Sequence, residues 1–220
     1  MKEFKILEIK ESVFEDNNLR AEKLRKKLKE EKKFLINLMS SPGAGKTTLL
    51  KATINALKAE FKIGVLEADI DSAVDAETIF KTGAKVIQLH TGGMCHLDAD
   101  MTEQGLNALE TDNLDIIFLE NIGNLICPAE FDTGANKNVM ILSVPEGDDK
   151  PLKYPLMFTI CDVLLITKID ASEFFNFNLE SCTKYVKKLN PKIKIIPVSA
   201  LKNEGLTPWL EWIKEEISGF

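Results

Sequence analysis

The chain has 220 residues, 45% of them hydrophobic, and a formal net charge of −6, which together predict one domain with or without an appendage and argue against a general nucleic-acid binder. It contains no run of 18 apolar residues and is charged from Lys2 onward, so we expect no transmembrane helix, no signal peptide and no membrane partner. A cytoplasmic location follows, where the four cysteines are expected to be thiols, metal ligands or core residues and not disulfides.

The first predicted element is a helix over residues 18–33, where Leu19, Ala21, Leu24 and Leu28 recur at roughly helical spacing among lysines and glutamates. This pattern predicts an amphipathic, largely solvated helix ahead of the fold. A basic cluster within it either contacts a partner or, as we favour, forms a solvated face complemented by neighbouring glutamates. That cluster consists of Lys23, Arg25, Lys26, Lys27 and Lys29.

From residue 34 onward, short apolar runs alternate with segments of helical periodicity. The alternation predicts an α/β fold, a mostly parallel sheet of about seven strands with helices on both faces. We therefore divide the chain into a helical N-terminal extension, 1–33, and one domain, 34–220. The predicted strands cover 34–39, 61–68, 85–90, 115–120, 138–144, 162–167 and 192–198. One predicted helix begins at Lys46, and the others cover 71–81, 97–109, 179–189 and 203–217.

The first of these strands runs into a glycine-rich turn and then into the helix that begins with Lys46-Thr47. A phosphate-binding loop needs this order, because Gly43 and Gly45 let backbone N–H groups turn towards a polyphosphate. Lys46 is expected to contact the β- and γ-phosphates and Thr47 to ligate Mg²⁺. The full pattern has glycine where this chain has Ser40, a small residue that still allows the turn, and we favour a variant phosphate loop over an ordinary glycine-rich turn. The predicted phosphate-binding residues are Ser41, Pro42, Gly43, Ala44, Gly45, Lys46, Thr47 and Thr48.

Acidic residues follow two other strands, at the edge of the sheet where parallel α/β folds bind ligands. A carboxylate at Glu120, the end of one strand, suits Mg²⁺ or a water-positioning role, although it would also cap a turn. Asp69, Asp71 and Asp75 fit a mobile switch that adds an acid to Mg²⁺ or to the attacking water. We favour Asp69, nearest the strand end, and then Asp75, whereas Asp71 is also placed to cap the next helix. The predicted catalytic residues are Lys46, Asp69 and Glu120, and the predicted Mg²⁺ ligands are Thr47, Asp69, Asp75 and Glu120.

The strand 162–167 ends in Thr167-Lys168-Ile169-Asp170, close to the guanine-binding pattern Asn/Thr-Lys-x-Asp. The carboxylate of Asp170 can accept hydrogen bonds from both N1–H and the 2-amino group of guanine, which adenine cannot match. The stem of Lys168 can cover the face of the base. Ser199-Ala200, after the last strand, fits a backbone donor to the guanine carbonyl. Downstream of a phosphate loop, these residues favour GTP over ATP.

Soft metal ligands also follow two strands. Cys95-His96 comes after the strand 85–90 and Cys127 after the strand 115–120, so the sheet can bring them together. Two thiolates and an imidazole suit Ni²⁺ or Zn²⁺ better than Mg²⁺. Three ligands leave the coordination incomplete, and water or a second copy across a two-fold axis would complete it. Spacing alone leaves open the alternative that both cysteines are small buried hydrophobes and that His96 caps a helix.

The remaining cysteines and the other histidine are assigned to packing. Cys161 and Cys182 lie in apolar or helical surroundings, which favour core positions over ligation. His90 ends a strand, where we favour a buried, hydrogen-bonded histidine over a further ligand.

Taken together, these motifs resemble the HypB family, GTPases that help insert nickel into [NiFe] hydrogenase and in some organisms serve urease. The resemblance implies a SIMIBI-class P-loop GTPase that forms a homodimer with nucleotide, with Cys95, His96 and Cys127 binding nickel or zinc at the dimer interface. It also implies other hydrogenase maturation proteins and the hydrogenase large subunit as partners. Residues 1–33 carry neither a cysteine-rich nor a histidine-rich tract, so nickel storage is not expected. The segments that carry the resemblance are 40–48, 93–99, 120–128, 143–155 and 167–170.

Three alternatives differ in what they require. A P-loop kinase of a small molecule would have no use for Thr-Lys-Ile-Asp or for the Cys-His-Cys set. A structural zinc protein would not need Lys46. A urease-type nickel GTPase would share both sites and differ only in the recipient enzyme.

Overall fold

The computed structural model describes residues 9–69 and 74–220, with side chains from residue 14 onward. Asp71, considered as a helix cap, lies outside these residues. The strands are β1 (Phe34–Ser40), β2 (Ile63–Asp69), β3 (Lys85–His90), β4 (Ile116–Glu120), β5 (Lys137–Ser143), β6 (Val163–Thr167) and β7 (Lys194–Val198). The helices are α1 (Ile9–Glu30), α2 (Lys46–Leu57), α3 (Val74–Phe80), α4 (Ala99–Leu109), α5 (Cys127–Glu130), α6 (Lys150–Lys153), α7 (Pro155–Ile160), α8 (Leu179–Leu189) and α9 (Leu206–Ser218).

The predicted fold class is confirmed. All seven strands pair in parallel, in the order β3-β2-β4-β1-β5-β6-β7. Because β1 and β4 are inner strands, covered on both faces, they consist almost entirely of buried apolar residues. The predicted boundaries differ by a few residues: β2 and β7 each begin two residues later than predicted, and the short helices α5, α6 and α7 were not predicted.

Helices cover both faces of the sheet. Buried side chains of α2, α3 and α9 form one core with the strands. On the opposite face, α7 and α8 pack over β5 and β6, whereas α1 and α4 pack over β1, β2 and β4. This arrangement leaves the carboxyl ends of the strands to the loops, where the predicted site residues lie.

Helix α1 differs from the prediction of a solvated helix ahead of the fold. It packs against α4, with Ala21, Leu24 and Leu28 buried in the interface, and it begins and ends earlier than predicted, at Ile9 and Glu30. Three members of the basic cluster form ion pairs within the chain: Arg25 with Asp132, Lys26 with Glu30 and Lys27 with Glu103. The apolar stripe showed that the helix has a buried face, but the sequence did not show what covers that face. The division of the chain at residue 33 stays a prediction.

Within the described part of the chain, no helix combines the length and the apolarity needed to cross a bilayer.

Candidate functional site

The loop between β1 and α2 holds Lys46 at the carboxyl edge of the sheet. Nζ of Lys46 donates to Oγ of Ser40 at 3.1 Å, and that hydroxyl donates to the carbonyl of Ser41 at 2.7 Å. Gly43 and Gly45 have φ values of 74° and 97°, whereas Ser40 is not among the positive-φ residues of the described chain. A serine in place of the first glycine of the pattern is therefore accommodated without backbone strain, and its hydroxyl positions Lys46.

Glu120 lies at the end of β4, beside the phosphate loop, and accepts a hydrogen bond from Oγ1 of Thr47 at 2.9 Å. Glu67 on β2 is its direct neighbour across the parallel pair. Carboxylate oxygens of Glu67, Asp75 and Glu120 all lie within 4.8 Å of one another. Hard oxygen ligands grouped beside a threonine hydroxyl have the donor chemistry that Mg²⁺ prefers.

The structure thus brings Asp75 to Glu120 and does not include Asp69 in this carboxylate group. Asp69 is the last residue of β2, and its side chain is half-buried. Glu67 was not predicted as a site residue. The sequence could have indicated it, because Glu67 is an acid inside an otherwise apolar strand. A carboxylate buried in this way needs a hydrogen-bond partner, a proton or a cation.

The buried acids share protons. Burial raises the pKa of Glu67 far above its usual range, and the neighbouring Glu120 carboxylate raises it further. Burial also raises the pKa of Glu120, against the lowering effects of the Lys46 ammonium and of hydrogen bonds from Glu67 and Thr47. Two ionised carboxylates this close repel each other, and because Lys46 and Thr47 favour the charged form of Glu120, Glu67 carries the proton and donates it to Glu120. Divalent metal binding would displace that proton.

A cleft of about 280 Å³ lies beside the phosphate loop and is lined by the predicted guanine-binding residues. Oγ1 of Thr167 donates to the carbonyl of Ala44 at 2.7 Å, and Nζ of Lys168 donates to the carbonyl of Gly43 at 2.8 Å. A hydrogen bond from Ser199 lowers the pKa of Asp170, which is therefore anionic at neutral pH and can accept. The cleft is lined by Ala44, Gly45, Thr48, Thr167, Lys168, Asp170, Ala171, Ser199, Ala200 and Leu201.

The structure also brings Cys95, His96 and Cys127 together, with ligand atoms within 4.8 Å of one another. The two sulfur atoms are 2.7 Å apart, and both cysteines are free thiols. The hydrogen bond with Cys95 raises the pKa of Cys127, and burial adds to this effect. All three side chains are half-buried, so this set is reachable from solvent, unlike the buried Cys161 and Cys182.

The surroundings of the His96 imidazole favour metal binding. Its Nδ1 is buried and has no hydrogen-bond partner, and the ring stacks on Phe131 with centroids 3.7 Å apart. Burial lowers the pKa of His96, which favours the neutral form that binds metals. The alternative that His96 caps a helix is wrong, because Asp98 is the N-cap of α4. His90 is exposed and lies outside the cluster, so the expectation of a buried histidine there is also wrong.

The two sites are connected by the loop from Glu120 to Cys127. Gly123 of this loop lies against the phosphate loop: a Cβ placed on Gly123 would come within 2.9 Å of the backbone nitrogen of Pro42. Only glycine permits this approach. A displacement of Pro42 by a nucleotide would therefore act directly on the segment that carries Cys127.

Comparisons with known proteins agree with this geometry. A family model of the CobW/HypB/UreG nucleotide-binding domain matches residues 34–197. The chain is 43% identical over 216 residues to the hydrogenase maturation factor HypB of Escherichia coli K12, covering 98% of this chain and 74% of that protein. It is 38% identical over 216 residues to the hydrogenase/urease maturation factor HypB of Helicobacter hepaticus, covering 96% of this chain and 88% of that protein.

A solved structure is similar over nearly the whole chain. The crystal structure of HypB from Helicobacter pylori in complex with nickel matches with a TM-score of 0.88 at 36% identity, covering 93% of this chain and 96% of that one.

Proposed function

Since the chain belongs to the HypB family of P-loop nucleotide-binding proteins, we propose that it is a GTP-hydrolysing metallochaperone that binds nickel or zinc and assists nickel insertion into a [NiFe] hydrogenase. The observation that carries this proposal is that two thiols and an imidazole whose Nδ1 has no hydrogen-bond partner lie together, next to a loop that also contacts the phosphate loop. The proposal places the protein in the cytoplasm, with other hydrogenase maturation proteins and the hydrogenase large subunit as partners.

The nucleotide site is assigned from its polar groups. Lys46 neutralises the β- and γ-phosphates, and the hydroxyl of Thr47 with the carboxylates of Glu120 and Asp75 would hold Mg²⁺, which supplies charge neutralisation on the phosphates when bound. Asp170 accepts hydrogen bonds from the guanine edge. Adenine presents an acceptor where guanine presents N1–H, so GTP is favoured over ATP.

The cargo site is assigned to Cys95, His96 and Cys127. Soft thiolates with an imidazole suit Ni²⁺ and Zn²⁺. Because three ligands do not complete a coordination shell and the three side chains are half-buried, a second copy of the chain can supply the remaining ligands across a two-fold axis. Nucleotide binding is proposed to favour this homodimer.

Metal binding and nucleotide binding are proposed to be coupled through the loop 120–127. If a γ-phosphate repositions Pro42, the contact between Pro42 and Gly123 changes. Gly123 then moves, and the loop that carries Cys127 moves with it. By thermodynamic linkage, metal then changes nucleotide affinity by the same factor as nucleotide changes metal affinity.

The test is a Ni²⁺ titration of the protein with GDP and with a non-hydrolysable GTP analogue, at matched protein concentration and with the dimer fraction measured. Nickel affinity is expected to differ between the two states by about 5–150-fold. Gly123→Ala is expected to reduce this difference, because its Cβ conflicts with Pro42, while all three metal ligands remain. Equal affinity in both states with an unchanged dimer fraction would falsify the coupling and leave separate nucleotide and metal sites.

One observation favours a second recipient. The Helicobacter hepaticus relative is named as a hydrogenase/urease maturation factor, so urease is an alternative recipient of the nickel. Transfer of nickel to a purified apo-hydrogenase large subunit and to an apo-urease, compared side by side, distinguishes the two.

A further inference from the structure

Helix α1 is joined to both segments that carry the metal ligands. The buried amide of Asn17, 5% exposed, accepts a hydrogen bond from the backbone N–H of Ala99 at 3.0 Å and donates to the carbonyl of Asp132 at 2.9 Å. Ala99 follows the segment of Cys95 and His96, and Asp132 follows the helix that begins with Cys127. One side chain of α1 therefore bridges the two ligand-bearing segments.

A second contact reaches the imidazole itself. Phe14 of α1 packs on Phe131 with ring centroids 4.8 Å apart, and Phe131 in turn stacks on His96 with centroids 3.7 Å apart and an interplanar angle of 13°. The ring of Phe131 thus fixes the plane of the imidazole whose Nδ1 has no partner.

Further α1 side chains hold the segment that contains Phe131. The guanidinium of Arg25 donates to both carboxylate oxygens of Asp132, at 2.7 and 2.8 Å, and to the carbonyl of Ala135 at 2.9 Å. Leu24 lies so close to Gly134 that a Cβ on that glycine would come within 2.8 Å of it. The segment after Cys127 is therefore held against α1 by both polar and apolar contacts.

We propose that α1 positions the metal ligands, with Asn17 and Phe131 as positioning residues that set the distance between the two ligand-bearing segments and the orientation of the His96 ring. The inference rests on the proposed metal site. Residues of this kind surround metal ligands in many proteins, and their removal typically lowers metal affinity by about 10–100-fold.

The experiment measures Ni²⁺ affinity and the thiolate-to-nickel charge-transfer spectrum of the full chain and three variants. Asn17→Ala removes both bridging hydrogen bonds, and Phe131→Leu removes the ring stack while keeping an apolar side chain. Lys27→Ala is the matched control, because Lys27 ties α1 to Glu103 of α4 at 3.2 Å without contact to the ligand-bearing segments.

We expect Asn17→Ala and Phe131→Leu each to weaken Ni²⁺ binding about 10–100-fold and to shift the charge-transfer bands, since ligand geometry changes. Lys27→Ala is expected to leave both readouts unchanged. Unaltered affinity and spectrum in Asn17→Ala would overturn the proposal, as would equal losses in all three variants. If Asn17→Ala does not fold, Phe131→Leu decides by the same two readouts.

Failure of the metal site itself gives a different result. In that case the unmodified chain shows no charge-transfer bands with Ni²⁺, or Cys127→Ala leaves them unchanged, and the positioning role fails together with the site.

Discussion

The nucleotide edge and the metal-ligand cluster lie at the same end of the sheet but are built differently. Lys46, Thr47 and Lys168 follow strand ends or begin a helix, and each donates a hydrogen bond to a neighbouring group of the chain. In the metal cluster, the thiols of Cys95 and Cys127 hydrogen-bond each other and Nδ1 of His96 has no partner. The functional side chains of the nucleotide edge are thus held by their own hydrogen bonds, whereas His96 in the metal cluster is held by stacking on Phe131.

This difference has a consequence for function. The base-binding part of the nucleotide edge consists of residues at or just after strand ends, and its specificity comes from the hydrogen-bonding groups it offers. A site formed by two loop segments responds to anything that moves either segment. Under the proposed coupling, nucleotide binding would change the metal cluster through the loop 120–127, and helix α1 would set the positions of its two segments.

The largest expected effect tests the fixed nucleotide edge. Asp170→Asn replaces an acceptor of two hydrogen bonds with an amide that presents a donor, so GTP affinity is expected to fall about 1,000-fold or more. Xanthine nucleotides, which present a carbonyl in place of the 2-amino group, should gain affinity. Fluorescent-nucleotide titration measures both, with Glu173→Gln, an exposed acid of the same segment, as control. GTP affinity equal to that of the parent chain would show that Asp170 does not bind the base.

A smaller effect is expected at the metal cluster. Cys127→Ala removes one of three ligands and should weaken Ni²⁺ binding by about 100-fold. Cys161→Ala is the control, since Cys161 is buried and its hydrogen bond goes to the carbonyl of Met157. Titration with nickel, monitored by absorbance or calorimetry, distinguishes the two. A similar loss in both variants would mean that the thiols bind nickel nonspecifically.

The smallest effect concerns the buried acids Glu67 and Glu120. Glu120 belongs to the nucleotide edge, and the loop that leads to Cys127 of the metal cluster begins there. The pKa of Glu67 is raised in the folded protein by burial and by Glu120, so its protonated form contributes stability that is complete below the unfolded pKa of about 4.3 and is lost as pH rises towards the raised folded value. Glu67→Gln cannot ionise. We compare the free energies of unfolding of the variant and the parent chain without Mg²⁺ or nucleotide. As the pH rises from about 5 to about 8, the difference should change by about 1–3 kcal/mol in favour of the variant.

Denaturant unfolding at the two pH values measures this difference in stability. Glu77→Gln, an exposed acid of α3, is the control and should leave the pH dependence unchanged. Parallel stability curves for Glu67→Gln and the parent chain would show that Glu67 is not the protonated member of the pair.

The sequence determined the elements and the placement of most candidate residues, because those depend on local chemistry. Alternating apolar runs and helical segments predicted a parallel α/β sheet, and parallel strands put their carboxyl ends at one edge. Gly43 to Thr47 and Thr167 to Asp170 follow strands, so their spacing alone placed them at that edge. For Cys95, His96 and Cys127, the positions after strands left both a metal site and a packing role open, and the resemblance to the HypB family favoured the metal site.

Tertiary structure decided the relations that join distant parts of the chain. Which acid faces Glu120 depends on strand order and register: β2 lies beside β4 and places Glu67 opposite Glu120, while Asp75, not Asp69, completes the group. The apolar stripe of α1 showed a buried face, but only packing showed that the helix bridges both metal-ligand segments through Asn17. Local patterns record what each segment prefers, whereas contacts between segments arise from the free energy of the whole fold.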